Sequence, residues 1–343
     1  MPILNISEEV DKLGYIQKIF ISGSNIERNI FKSKKTIKII SGRFDRYHKL
    51  RNIIGLILII LGFIESFFYL LFNRPNLIFA KGGFLAVPIL YAARVLNIPY
   101  FCHESDSEIG LANKMFLKGA KKFFVGFPLD LYKNIRSTDV VYAGQIIGLK
   151  YLKTKVSNKN SKPTIFITGG SQGSRKISNA IEKILPTLLQ KYFIIHQIGK
   201  SDHEKISTGL KDKMSKELSK NYHSFAFSIE ENFKAFINSD LIISRAGANT
   251  IGEIAALKRA SILIPYPYAS SDHQTKNAKY LEKIGGAIVI KEENLNEKSL
   301  QERIDYLMND KKNLEIIGEN ANKAIKSDGL FEVVNQIKKY LEG

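Results

Sequence analysis

At 343 residues the chain is long enough for two domains of ordinary size, and 44% hydrophobic with 24% charged residues is globular composition. A single cysteine, Cys102, excludes an intrachain disulfide and fits a reducing compartment. The balance of 51 basic against 33 acidic residues, +18, directs attention to acidic partners: anionic lipid, phosphorylated ligands or nucleic acid. Nucleic acid is the weakest of these, because aromatics interleaved with basic clusters in an RNA-binding pattern are not apparent.

In chain order, Ile3 to Leu13 carries apolar residues near helical spacing and stops at Gly14, an amphipathic helix. Glu8, Glu9 and Asp11 in this stretch leave no visible cleavable signal peptide. Gln17–Ser22 and Thr36–Ile40 read as short strands around a helix within Ser24–Lys32. Lys34 to Arg51 is basic, and the apolar run Ile53–Phe72, interrupted only by Glu65 and Ser66, follows at once. Three readings fit that run: a membrane span, a helix packed on a sheet, or a helix whose outer face dips into a bilayer. Strand-like segments on both sides favour a packed helix with a greasy outer face beside a basic segment, which suits a peripheral protein on an anionic leaflet.

Asn76–Ala80 is the next strand, followed by Lys81-Gly82-Gly83-Phe84 and a helix to about Leu96. Ile98–His103 is another strand, ending in His103-Glu104-Ser105-Asp106. Polar residues at the carboxyl end of a parallel strand point to the ligand crevice of an open α/β sheet, and His103, Glu104 and Asp106 are candidates for acid/base work. A helix (Leu111–Gly119) and two strands (Lys121–Val125, Asp139–Ala143) complete this half. Lys150–Lys162, rich in Lys, Ser and Asn, reads as a linker.

The second half opens on Thr164–Ile177, a strand, a glycine turn and a helix start. Gly169, Gly170 and Gly173 let backbone approach a ligand, Ser171 and Ser174 can cap the helix, and its N-terminal N–H groups suit a diphosphate. An ordinary strand-to-helix turn would look similar. Strands and helices then alternate to Ile290, and a last helix, Phe331–Leu341, is placed to brace the first domain. Two α/β halves predict two doubly wound domains facing a cleft. A second strand–turn–helix unit runs from Ser244-Arg245-Ala246-Gly247 through Thr250, a candidate cap, to Glu253. A carboxylate there suits ribose hydroxyls, although an ordinary first-turn glutamate complements a helix dipole equally well. Asp272 is a candidate cap for the helix bearing His273 and Gln274. No metal-ligand spacing and no G-x-S-x-G hydrolase elbow is present.

Five segments in order, FAKGGF, HESDSEIGLANK, ITGGSQGSR, SRAGANTIGEIAA and PYPYASSDHQTKNA, resemble the MurG family. The resemblance covers nearly the whole chain and is strongest from 163 to 290. It implies an α/β fold of GT-B type, with two Rossmann-like domains. Residues 1–150, joined by the C-terminal helix 331–343, would bind acceptor and membrane; 151–330 would bind the donor. It also implies inverting transfer of N-acetylglucosamine from UDP-N-acetylglucosamine to lipid I, an undecaprenyl-diphosphate-linked acceptor, giving lipid II and UDP. No metal or other cofactor is implied. The implied place is peripheral, on the cytoplasmic face of the plasma membrane.

By the same resemblance Gly170, Ser171 and Gln172 hold the donor diphosphate and sugar, and Arg245 and Gly247 line that pocket. Ile229 contacts uracil through its backbone, and Glu253 takes the ribose hydroxyls. Gln274, with Asp272 and His273, reaches the sugar. His103, Glu104 and Asp106 belong to the acceptor side. The departures all lie in the first half. The family's opening strand and G-G-T-G-G-H loop, with its candidate catalytic histidine, have no counterpart before MPILNISEEV, and that strand would stand at the centre of the first sheet. An upstream start codon is the simpler explanation. The family's H-E-Q-N is His103-Glu104-Ser105-Asp106 here, and its G-N-P-V-R is Gly144-Gln145-Ile146-Ile147-Gly148, without the arginine. Asp106 then becomes the candidate base. Two alternatives stand beside this reading: a donor-binding, non-catalytic or split subunit that needs a partner chain, and transfer of another sugar to a lipid-linked acceptor.

Overall fold

The computed structural model describes residues 1–42, 49–132, 140–154, 161–212 and 214–343. The chain divides into two compact units, Met1–Gly148 with Asp328–Gly343, and Leu149–Ser327.

In the first unit, strands β1 (Ile19–Ile21) and β2 (Thr36–Lys38) form a parallel pair. Strands β3 (Ile78–Ala80), β4 (Tyr100–Glu104), β5 (Lys122–Val125) and β6 (Val140–Tyr142) form a separate parallel sheet in chain order. Every residue of β4 is buried, as expected of a strand covered on both faces. The expected helix near the start spans Pro2–Lys12, buries Ile6 and Val10, and is followed by Gly14 at φ 78°. The C-terminal helix Gly329–Glu342 packs on it, and Tyr340 meets Phe101 edge to face at 5.3 Å.

The apolar run is one helix, Lys49–Phe72. Its buried stripe is Gly55, Ile59, Gly62, Ser66 and Leu70, at spacings of three and four. Two glycines on that stripe let backbone come close: a Cβ on Gly62 would lie 1.9 Å from the Ile40 carbonyl oxygen. The opposite face leaves Ile53, Ile57, Ile60, Ile64, Phe68 and Phe72 exposed. The helix is long and apolar enough to cross a membrane, yet its stripe packs on the helix Ala86–Val95 of the same unit. Arg43 and Arg46 of the basic segment, Asp139 of the sixth strand and 155–160 of the expected linker lie outside the described residues.

The second unit is one six-stranded parallel sheet. Its strands are β7 (Thr164–Thr168), β8 (Phe193–Ile198), β9 (Tyr222–Ala226), β10 (Leu241–Ser244), β11 (Ala260–Leu263) and β12 (Ile288–Val289). Their spatial order is β12-β11-β10-β7-β8-β9, so the winding reverses between β7 and β10. Ile165, Ile167, Ile243 and Ile262 alternate toward a core closed by Ile181, Leu185 and Leu188 of the helix Arg175–Lys191. Leu149–Lys153 is helix rather than linker. Tyr151 is its anchor, with Phe233 and Phe236 edge-on at 4.9 and 6.0 Å. Four further helices, absent from the sequence reading, span His203–Asp212, Lys216–Ser219, Glu297–Met308 and Lys311–Ala324.

Candidate active site

In an open α/β sheet, ligands bind beyond the carboxyl ends of the strands where the winding reverses. In the second unit that point lies between β7 and β10, which pair with Ser244 opposite Thr168. The turns leaving these strands are the two glycine turns singled out above. Gly170 and Gly173 take φ of 75° and 73°. A Cβ on Gly173 would lie 2.4 Å from the Gly199 nitrogen, so only glycine fits. A Cβ on Gly170 would meet nothing within 4 Å, so the backbone is open to a ligand there. Thr168 fixes this turn: its hydroxyl accepts from the Gly170 N–H at 3.0 Å and donates to Gln197 Oε1 at 2.6 Å. Ser171 and Gln172 are exposed at the tip. Ser174, not Ser171, caps the helix, accepting from the Ile177 N–H.

Arg245 ties the two turns together. Its guanidinium donates to the Ser174 hydroxyl at 2.7 Å and to the carbonyls of Ile264 and Pro265 at 3.2 and 3.3 Å, lies 5.3 Å over the Tyr266 ring, and pairs with Glu292. It is thus a buried brace of the pocket wall. Gly247 precedes the helix Ala248–Ala256 with no side-chain cap, so the expected cap at Thr250 is not made: Thr250 already sits in the first turn. Glu253 is half-buried and accepts the Tyr151 hydroxyl; burial pushes its carboxyl up to about 7, with Lys150 and Tyr151 pulling back.

Beyond β11, Ser271 and Asp272 both take left-handed φ, 55° and 54°, ahead of the helix His273–Lys283. Asp272 stands at the cap position, but in that backbone state its side chain makes no cap bond, against expectation. His273 donates from Nδ1 to the Ser270 carbonyl at 2.6 Å. Gln274 Oε1 accepts the Tyr266 N–H at 3.0 Å. Ile229 begins the helix Ile229–Asn238 after β9, where its N–H has no partner in that helix. The structure therefore gathers Gly170–Gln172, Arg245 and Gly247 at the reversal, with Gln274 on the β11 side and Ile229 on the far β9 side.

In the first unit the acidic loop leaves the end of β4. His103 is fully buried. Its Nε2–H donates to the Gly144 carbonyl at 3.2 Å, which makes Nδ1 the acceptor, and the Ser105 hydroxyl donates there at 3.4 Å. Burial, with Lys81 nearby, pushes its pKa down to about 3. Glu104 is also buried, and its oxygens accept the N–H groups of Asp106 (3.1 Å) and Gly110 (2.8 Å) and the Asn113 amide (2.9 Å). Burial pushes its pKa up, while these bonds pull it back. His103 and Glu104, expected to act on substrate, are both buried with their ring nitrogens and carboxylate oxygens hydrogen-bonded within the loop and its surroundings. Asp106 is half-buried and is the candidate that retains exposure; its carbonyl accepts the Tyr132 hydroxyl at 2.8 Å. Sequence reasoning missed Gln145, buried, whose amide donates to the Ser105 carbonyl at 2.7 Å. It also missed Thr168, which lies inside the first glycine-turn segment but was given no role, and Gln197, Glu292 and Tyr151, which lie in none of the quoted segments. Among the described residues no group of three or more His, Cys, Asp or Glu is placed to hold a metal ion.

Two units of parallel α/β architecture, one with twin glycine turns at its winding reversal, define the chain as a two-domain glycosyltransferase of GT-B type. The glycosyltransferase family 28 N-terminal and C-terminal domains match residues 1–125 and 164–333. A Clostridium botulinum (strain Kyoto / Type A2) protein named UDP-N-acetylglucosamine--N-acetylmuramyl-(pentapeptide) pyrophosphoryl-undecaprenol N-acetylglucosamine transferase is 35% identical over 349 residues, covering 99% of this chain and 95% of the relative. Its namesake in Clostridium kluyveri is 34% identical over 350 residues, with the same coverage. The crystal structure of Acinetobacter baumannii MurG aligns with a TM-score of 0.73 at 25% identity, covering 98% of this chain and 95% of that one. The chain belongs to the MurG family within glycosyltransferase family 28.

Proposed function

We propose that this chain transfers N-acetylglucosamine from UDP-N-acetylglucosamine to an undecaprenyl-diphosphate-linked muramoyl-pentapeptide, making lipid II for peptidoglycan. The observation that carries the donor half is the pair of turns at the β7/β10 reversal, braced by Arg245. In this reading Gly170, Ser171 and Gln172 receive the diphosphate on backbone N–H groups, and Gly247 leaves room beside it. Glu253 takes the ribose hydroxyls, Ile229 meets uracil through its backbone, and Gln274, with Asp272 and His273, addresses the sugar. The acceptor hydroxyl loses its proton to Asp106 as it attacks the anomeric carbon, and UDP leaves with the bonding electrons. His103 and Glu104 hold the loop that presents Asp106.

The exposed apolar face of Lys49–Phe72 is read as the docking surface on the cytoplasmic leaflet, with anionic lipid answering the net charge of +18. A lipid-linked acceptor gives the protein a reason to stay there. Ile60→Asp with Phe68→Asp is expected to cut sedimentation with anionic vesicles roughly tenfold per residue while UDP binding persists. Unchanged sedimentation would remove the docking reading.

The deciding assay is transfer of labelled N-acetylglucosamine to a lipid I analogue by the 343-residue chain. Turnover supports the proposal. Bound UDP-sugar without turnover supports a second reading, a donor-binding chain that needs a partner. The division of the first unit into two sheets favours that second reading, because the backbone groups of Phe20 and Phe79 face edges where no strand pairs among the described residues.

A further inference from the structure

In the second unit, the helices His273–Lys283 and Glu297–Met308 and the strand β12, last in the order of its sheet, together line a cavity of about 290 Å³. Thr275, Lys279 and Glu282 follow one another at spacings of four and three on the first helix, so they share one face of it. Arg303 comes from the second helix, Val289 from β12, and Lys291 from the segment just after β12.

Three cations therefore surround this cavity against one carboxylate, Glu282. Among the described residues Lys279, Arg303 and Glu282 make no ion pair and no hydrogen bond through their charged groups, while Lys291 is shared with Glu293 at 3.5 Å. Lys279 and Arg303 are exposed, so neither is costly as it stands. An anion entering the cavity would meet a guanidinium fork and two ammonium groups carried by three separate elements. A bare ion would leave most of the space empty. The Thr275 hydroxyl, also without a partner among the described residues, and Glu282 suit the hydroxyls of an organic part, and Val289 suits its carbon face. That is the chemistry of a small phosphate ester.

The cavity backs on the wall braced by Arg245. Pro265, which also lines it, gives its carbonyl to Arg245. Lys291 precedes Glu292, the ion-pair partner of Arg245, and Thr275 follows Gln274, which holds the Tyr266 N–H.

We propose that this cavity binds a small phosphate ester, and that the bound ester tightens the donor pocket by tying Lys279 and Lys291 to Arg303. The site itself is independent of the function proposed above; only its coupling to UDP rests on that reading. The ester would order the helix that carries Gln274 and the turn that carries Glu292, so a second ligand on the other side of the wall has less left to order.

The test titrates the full chain by calorimetry with glycerol 3-phosphate and with glycerol, under saturating UDP so that the donor turns are occupied. The expected result is saturable binding of glycerol 3-phosphate, with a dissociation constant below about 1 mM, and none of glycerol. Lys279→Ala combined with Arg303→Ala is expected to weaken that binding about tenfold or more. Lys283→Ala, which removes a charge from the same helix outside the cavity, is expected to bind like the parent. Heat that does not saturate, or equal weakening by Lys283→Ala, would overturn the site in favour of a diffuse counterion layer. UDP affinity is then measured with and without glycerol 3-phosphate. About fivefold tighter UDP binding in the parent, absent from the double variant, supports the coupling. Weaker UDP binding would mean competition at the donor turns and would overturn the coupling, as would an unchanged value. If the chain binds no UDP, the functional reading fails, and the titration without UDP decides the site by the same variants.

Discussion

In Leu149–Ser327 six parallel strands run as one sheet, and the candidate donor site is mostly backbone: two turns, a helix start and the braces behind them. In Met1–Gly148 with the C-terminal helix, the six strands among the described residues stand as a pair and a separate four, and the candidate acceptor site is side chains hydrogen-bonded in a buried relay. The difference has a chemical sense. A diphosphate is bound well by N–H groups that any sequence supplies once the turn is tight enough. A base must be one particular side chain at one protonation state, and that requires a frame of buried polar partners. The first kind of site breaks when the backbone is disturbed, and the second when one atom is exchanged.

The largest effect should come from the backbone site. Gly173→Val places a side chain where the Gly199 nitrogen already lies 2.4 Å from an ideal Cβ, at a φ of 73°. Cost in folding should reach at least about 3 kcal/mol, with UDP binding abolished. Chemical denaturation and UDP titration check it; a variant that binds UDP normally would show that the turn is not the diphosphate cradle.

Next is the side-chain site. Asp106→Asn should lower kcat by about 10²- to 10⁴-fold and leave the melting temperature and UDP affinity nearly unchanged. Retained activity would remove Asp106 as base. By contrast His103→Gln should act mainly on stability, since His103 is buried with both ring nitrogens bonded.

How much of this was legible beforehand follows the same division. The turns could be read because glycine and a capping serine declare a backbone requirement locally, and the strand–turn–helix order from Thr164 and from Leu241 is what the structure holds. The partners of those turns could not. Arg245 meets Glu292 and Ser174, and Glu253 meets Tyr151, across separations that no local pattern encodes. In β4 all five residues are buried, so no alternation told His103 and Glu104 from surface-facing neighbours. The capping expectations for Thr250 and Asp272 failed because the helix boundary lies earlier, with Gly247 at the cap position, in one case and the cap residue is left-handed in the other. The break between the β1–β2 pair and the other four strands depends on neighbours distant in sequence.

Among the described residues each unit also holds one fully buried histidine, His103 and His196, which sharpens the comparison. His196 lies between the Ser178 hydroxyl (3.2 Å) and the Tyr222 hydroxyl (3.1 Å), and burial pushes its pKa down to about 3, as with His103. The folded value is below the unfolded value of 6.5, so the unfolded chain binds the proton first. Stability is therefore full above about pH 6.5 and falls below it by about 1.4 kcal/mol per pH unit for each histidine, down to about pH 3. His196→Gln should flatten the acid limb of the second unit's unfolding and His103→Gln that of the first. A single acid limb unmoved by both substitutions would count against this account.

The smallest expected effect separates donor from acceptor most cleanly. Glu253 is raised from 4.5 to about 7 by burial, so the native state keeps its proton to higher pH than the unfolded chain does. Its contribution to stability is present at low pH and declines between about 4.5 and 7. Ribose hydroxyls donate to a carboxylate and need it ionised. UDP-N-acetylglucosamine should therefore bind about tenfold more tightly at pH 8 than at pH 6, following the ionised fraction of a group with pKa near 7. Glu253→Gln should bind more weakly than the parent at pH 8 and lose that dependence. The acceptor KM should not follow the same curve, because the frame around Asp106 is built in the other unit. If Glu253→Gln keeps the tenfold pH dependence, the ribose contact belongs to another residue.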